Sequence, residues 1–174
     1  ALPVKVSVLE VRTVGPSLGQ DSKDKSVMAF AIGLTLIVLF MMAVYRVAGF
    51  VADTALLVYV LLLLGILSAL HATLTLPSIA GIILSIGMAV DANVLIFERF
   101  KEEIVEGKIL RLAIQSGFKR AFTTIFDANM TVIITSAILF FLGSGTVKGF
   151  AFSLGLGVLV SMFTAITVSR TLLM

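Results

Sequence analysis

The 174-residue sequence contains no cysteine and a single histidine, His71. Those two shortages exclude a disulfide framework, a thiolate metal site and a cluster of imidazole ligands. Charge is also scarce. Asp, Glu, Lys and Arg together make up 13% of the residues, about half the share of a soluble domain. Apolar side chains fill the difference: 59% of residues are hydrophobic and the mean hydropathy is +1.16. A soluble enzyme, a disordered tail and a nucleic-acid module are all poor descriptions of such a chain. The formal charge of +3 requires no nucleic acid as partner, because membrane proteins gather Lys and Arg at one face for topological reasons. After Ala1 no charged segment leads into an apolar run, so no cleavable signal peptide is visible and an excised piece of a longer protein is expected.

Five uninterrupted apolar runs occupy residues 27–45, 55–74, 79–97, 121–142 and 149–169. Each has about 19–22 residues, enough at about 1.5 Å per residue to cross a hydrocarbon core of about 30 Å. The expected fold is therefore an all-α membrane protein, a bundle of five transmembrane helices over residues 27–174. With a turn at 46–54 and a loop at 98–120 on one side, that side holds eight of the thirteen basic residues, six of them in the 98–120 loop. Positive charges favour short cytoplasmic loops. The 98–120 loop and the C-terminus are thus expected in the cytoplasm, and the N-terminal tail outside it.

The tail itself is not membrane-like. Val4, Val6 and Val8 alternate with Lys5 and Ser7, the period of a half-buried strand, and the Gly15-Pro16-Ser17-Leu18-Gly19 segment reads as the turn that ends it. Residues 1–26 are expected to be the end of an extracytoplasmic domain, a short β-strand remnant and linker, with the first helix starting near Asp21 or Ser22. In the 98–120 loop, Phe100 and Ile104, then Leu110 and Ile114, are each four apart on either side of Gly107. That spacing predicts two short helices lying at the membrane surface.

Ionisable groups at membrane depth are costly and mark function by default. Asp91 lies seven residues inside Glu98, and Asp127 seven residues inside Arg120, which puts both carboxylates about 10 Å deep from the same face. Arg120, Thr123, Thr124, Asp127 and Thr131 form one polar stripe on an otherwise apolar helix, while Ala80, Gly87 and Asp91 share a face that small residues leave open. Such a stripe can hold water and pass a proton. A static ion pair between Asp127 and Arg120 fits the same spacing. Asp91 has no nearby cation on its own helix, so its protonation is expected to depend on helix arrangement, as a proton-coupled cycle requires. Asn93 and Asn129 follow the two acids in a short echo, Asp91-Ala92-Asn93 and Asp127-Ala128-Asn129. The candidate proton pathway is Asp91, Asn93, Arg120, Thr124 and Asp127, with protons the only coupling species and no bound cofactor.

In the last run, Gly149, Ser153, Gly157, Ser161, Ala165 and Ser169 recur every four residues, a seam of small side chains that permits close backbone approach. It suits either a sliding interface or ordinary tight packing. Gly81, Ser85 and Ala89 repeat the pattern in the Asp91 helix, and His71 reads as an interfacial residue.

The stretch 77–99, with Val90-Asp91-Ala92-Asn93 at its centre, resembles the fourth transmembrane helix of the SecD/SecF family of protein-export membrane proteins. Residues 12–19, the segment 121–131 with Phe126-Asp127-Ala128-Asn129, and Gly149-Phe150-Ala151 are similar to further signatures of that family. The resemblance covers nearly the whole chain. It implies that the five spans are helices two to six of a SecD-type six-helix half, in the fold shared with resistance-nodulation-division transporters. It also implies partnership with SecF, association with the SecYEG channel and YajC, contact with unfolded preprotein through an extracytoplasmic domain, and use of the proton-motive force in the bacterial cytoplasmic membrane. Asp91 matches the acid that the family associates with proton passage. Arg120 occupies the place in this half that corresponds to an implicated arginine in the SecF half.

The leading expectation is thus a non-enzymatic component of the preprotein translocation machinery. A proton-coupled exporter of small molecules or lipids is the alternative from the same superfamily. An intramembrane aspartyl protease would use two acids at one depth, but no Gly-x-Gly-Asp sequence precedes either one.

Overall fold

The structure, a computed structural model, describes residues 16–169 and Thr171. Five helices follow one another: α1 Pro16–Tyr45, α2 Val47–Ala69, α3 Leu76–Val105, α4 Leu110–Leu142 and α5 Thr146–Phe163, the last continuing as a π-helical segment, Thr164–Ser169. All five are long and apolar enough to cross a membrane, and no strand occurs among the described residues. The strand expected at residues 4–8 lies outside them.

Four boundaries differ from the sequence expectation, each for a physical reason. The segment 15–19 was expected to be a turn, yet α1 is already helical from Pro16; proline is well suited to a first helical position, where its missing N–H costs nothing. The turn expected at 46–54 is a single residue, Arg46, with φ of 49°, and α2 begins at Val47. A Cβ at Gly49 would strike the Met41 carbonyl, so the absence of a side chain there lets the two helices close directly on the joint. The two surface helices expected within 98–120 are instead the ends of α3 and α4, which run on past their apolar stretches to Val105 and from Leu110. Ion pairs at i,i+3, Lys101 to Glu98 at 2.8 Å and Arg99 to Glu102 at 2.7 Å, support the helical extension of α3. Only 106–109 breaks the chain, with Gly107 at φ 89°.

The bundle has a tight part and a loose one. α3, α4 and α5 pack on one another most closely, α2 lies against α3, α5 and the π segment, and α1 rests mainly on α2. Polar hydroxyls cross-link the tight part: Ser153 Oγ of α5 donates to the Ser78 carbonyl of α3 at 2.9 Å, and Tyr59 OH of α2 donates to Ser85 Oγ at 2.8 Å. α3 starts where Thr75 caps it, its hydroxyl accepting from Ser78 N at 3.3 Å with Pro77 in the first turn. At the other end of the bundle the Tyr45 ring lies 5.6 Å from Phe97 and 4.5 Å from the Lys101 ammonium, which ties the end of α1 to α3.

Candidate functional site

Asp91 on α3 lines a cleft of about 150 Å³ between α3 and α4. Thr124 and Asn129 of α4 face the same space, and the small side chains Ala92 and Ala128 keep it open. Met88, Leu95 and Ile125 supply its apolar walls. The Asp91 side chain is exposed at the cleft rather than sealed in the helix packing. An acid, a hydroxyl and an amide around a space of that size can hold a few waters, and a carboxylate at their edge can take up and release a proton.

The other residues expected along a proton pathway are placed differently. Asn93 is two residues from Asp91, about 200° around the helix, and is buried on the opposite side of α3. It donates to the Ala89 carbonyl at 3.2 Å and accepts from Ser169 Oγ of the π segment at 2.5 Å. Asn129, the amide of the second echo, is the one in the cleft, its Nδ2 donating to the Ile125 carbonyl at 2.8 Å. Asp127 is exposed on the outer side of α4 beside Thr123 and Thr131, and does not line the cleft. Thr131 and Thr135 hydroxyls bond back to carbonyls of their own helix, those of Asp127 and Thr131.

Arg120 joins neither aspartate. Its Nη1 lies 2.9 Å from Glu103 Oε1 and 3.7 Å from Glu106 Oε1, so it bridges the start of α4 to the end of α3. The Glu103 side chain is fully buried and also receives the Lys108 ammonium. The hydrogen bond to Glu103 raises the Lys108 pKa above the ordinary lysine value, with desolvation opposing that rise. Glu103 sits in the charge run Glu98 to Glu106, where nothing in the local pattern separates a buried acid from its solvated neighbours. Asn129 was marked only by the Asp-Ala-Asn echo, and Asp53, a third acid inside a span, by nothing once 46–54 was read as a turn.

The small-residue seam of α5 lies against α3 and α2. A Cβ at Gly157 would sit 2.5 Å from Ser85 Cβ and 3.0 Å from Tyr59 OH; one at Gly149 would sit 2.7 Å from Ser78 Oγ. Ser153 and Ser161 are both buried, the first bonded across to α3 and the second to the Val158 carbonyl of its own helix at 2.8 Å. From the α3 side, a Cβ at Gly81 would sit 2.5 Å from Ser153 Oγ and 2.8 Å from the Phe150 carbonyl.

Over residues 2–174 the sequence matches the family described as protein export membrane protein SecD/SecF, C-terminal. The chain belongs to that family. The protein translocase subunit SecD of Acidaminococcus fermentans is 65% identical over 173 residues, which cover 99% of this chain and 42% of that protein. The subunit of the same name from Desulfurispirillum indicum is 55% identical over 172 residues, 99% of this chain and 33% of the relative. This chain therefore spans less than half the length of these relatives. Among solved structures, SecDF from Thermus thermophilus, a translocon-associated membrane protein, matches with a TM-score of 0.90 at 45% identity, over 93% of this chain and 23% of that one. SecDF in its super-membrane-facing form matches with a TM-score of 0.87 at 46% identity, over 99% of this chain and 24% of that one. The all-helical bundle of five candidate spans is thus a SecD/SecF membrane fold.

Proposed function

We propose that this chain is the membrane part of a protein-translocation subunit that uses the proton-motive force to assist preprotein export across the bacterial cytoplasmic membrane. The observation that carries the reading is Asp91. It is an acid inside a span, set in a cleft with Thr124 and Asn129, and among the described residues no ion pair holds it. Family membership supplies the context, since the relatives are named protein translocase subunits. Those names favour preprotein translocation over export of small molecules or lipids.

In this mechanism a proton enters the cleft from one side, neutralises Asp91, and changes how α3 packs on α4 and α5. One charge moving through 100 mV supplies about 2.3 kcal/mol, enough to shift a two-state helix arrangement well over tenfold. The helices transmit that shift to an extracytoplasmic domain that holds unfolded preprotein. No covalent chemistry is required, so the chain works without enzymatic catalysis. The basic 98–120 region and the C-terminus face the cytoplasm, with the N-terminal side extracytoplasmic.

A polar partner is part of this proposal. Thr123, Asp127, Thr131 and Thr135 form an exposed stripe on α4 at membrane depth, and hydrocarbon does not accommodate an acid in such a stripe. SecF is the partner that would cover it, with the SecYEG channel and YajC further out in the assembly. The test is Asp91→Asn in the full-length protein within the complete complex. Proton-driven export should fall to the level of a membrane without a proton gradient, at unchanged protein abundance; undiminished proton-dependent export would overturn the assignment.

A further inference from the structure

Asp53 is an acid that the Asp91 mechanism does not use. It lies on α2, seven residues beyond the Arg46 joint and so about 10 Å along the helix, within a segment long and apolar enough to span a membrane. It lines a cavity of about 470 Å³ between α1 and α2 whose other walls include Leu34, Val38, Phe50, Leu57, Val60 and Leu61. Both carboxylate oxygens are closed off from solvent, and neither has a hydrogen-bond partner among the described residues. The adjacent hydroxyl is already used, Thr54 Oγ1 donating to the Phe50 carbonyl at 2.9 Å.

Among the described residues the surroundings also lack a counter-charge. Neither 27–45 of α1 nor 47–69 of α2 contains a Lys, Arg or His. Their other titratable groups are Tyr45, stacked beside Phe97 and Lys101, and Tyr59, whose hydroxyl is committed to Ser85. The π segment has no titratable residue, and α5 carries only Lys148, near its start. On α3, Lys101 is paired with Glu98, Arg99 with Glu102, and Asp91 opens on the α4 side. Arg46 is exposed at the hairpin joint. An ionised carboxylate with neither donor nor cation in such a place is strongly disfavoured, and a carboxyl group in this situation takes up a proton instead.

We infer that Asp53 is a proton-binding site inside the membrane, separate from the Asp91 cleft, which holds one proton as a neutral carboxylic acid while the α1–α2 hairpin is closed. The proton adds to one carboxylate oxygen and no bond is broken. Opening of the hairpin to water lets that proton leave, so proton occupancy at Asp53 and closure of α1 on α2 are linked. This site stands on α1 and α2 alone and does not depend on the role given to Asp91.

Infrared spectroscopy of the full-length protein in lipid vesicles reads the protonation state directly. At pH 7, far above the ordinary aspartate value of about 3.9, the wild type should show a carboxylic C=O stretch that loses one carboxyl group's intensity in Asp53→Asn. The same component should persist in Asp91→Asn. Asparagine has nearly the shape of the neutral acid, so the Asp53→Asn protein should melt within a few degrees of the wild type. If that variant does not fold, Asp53→Glu keeps a carboxyl group at the site and should shift that carboxylic component without removing it. Absence of any carboxylic component assignable to Asp53, or loss of a carboxylate band in its place, would show an ionised, partnered residue and overturn the inference.

Discussion

The α1–α2 hairpin is the more apolar part of the molecule, with span hydropathies of 2.7 and 2.5 against 2.1, 1.9 and 2.0 in the α3–α4–α5 triad, and the two parts hold together by different means. In the most apolar window of α5, 50% of residues are buried within the chain, against 6% in that of α1. The triad is closed by glycines that let backbones approach and by serines that bond across helices. The hairpin is closed by a one-residue joint and by side-chain packing, and much of α1, including Met28, Leu36 and Phe40, stays uncovered. In lipid, apolar side chains gain little by meeting one another, so small residues and hydrogen bonds mark where helices associate tightly. Two of the three membrane acids follow the same division: Asp91 opens on a cleft of the triad, and Asp53 lines the cavity of the hairpin with both carboxylate oxygens closed off.

The contrast breaks first, and by the largest effect, at the seam. Gly157→Leu drives a side chain into Ser85 and Tyr59 and should cost about 3 kcal/mol or more in a reversible unfolding measurement in micelles. Gly65→Leu on α2, where a Cβ meets nothing within 4 Å, should stay within about 0.5 kcal/mol. Equal losses at the two glycines would mean that the seam is no tighter than the rest.

Glu103→Gln comes next. It removes the buried acid that holds Lys108 and Arg120, and since both cations are partly exposed the cost should be about 1–2 kcal/mol. The variant should also change the alkaline limb of stability. A lysine whose folded pKa is raised contributes stability that is fully present below its unfolded value of about 10.4 and is lost as pH climbs through the folded one. Wild-type stability should therefore fall in that alkaline window by more than Glu103→Gln stability does, which parallel denaturation curves across pH would reveal.

The smallest effect sharpens the same picture. Ser153→Ala loses a bond between helices and should cost about 0.6 kcal/mol, whereas Ser161→Ala loses a bond within its own helix and should cost close to nothing.

Much of this architecture was legible in the residues, and its gaps have definite causes. The five apolar runs located the five spans, because length and hydropathy are what a bilayer selects. Helix ends were harder to read. Asp53 interrupts an apolar run without interrupting helical hydrogen bonding, so a reading by hydropathy started α2 too late and hid a half-buried acid. The charged ends of α3 and α4 looked like a surface loop for the same reason. Within the candidate site, Asp91 and Thr124 stood out because an isolated polar group on an apolar helix is visible locally. Asn93 and Asn129 traded places because the phase of each amide around its helix, and which neighbour that phase faces, is set by packing. Arg120 went to Glu103 instead of an aspartate because the extension of α3 brings that glutamate back to the start of α4.

The central claim is that Asp91 in its cleft binds the coupling proton, with Arg120 acting as a structural tie outside it. Proton conductance of the complete complex in vesicles under an imposed gradient tests this directly, comparing wild type, Asp91→Asn and Arg120→Ala at matched protein levels. The account predicts that Asp91→Asn lowers conductance by about a hundredfold while Arg120→Ala retains it; wild-type conductance in Asp91→Asn would contradict it.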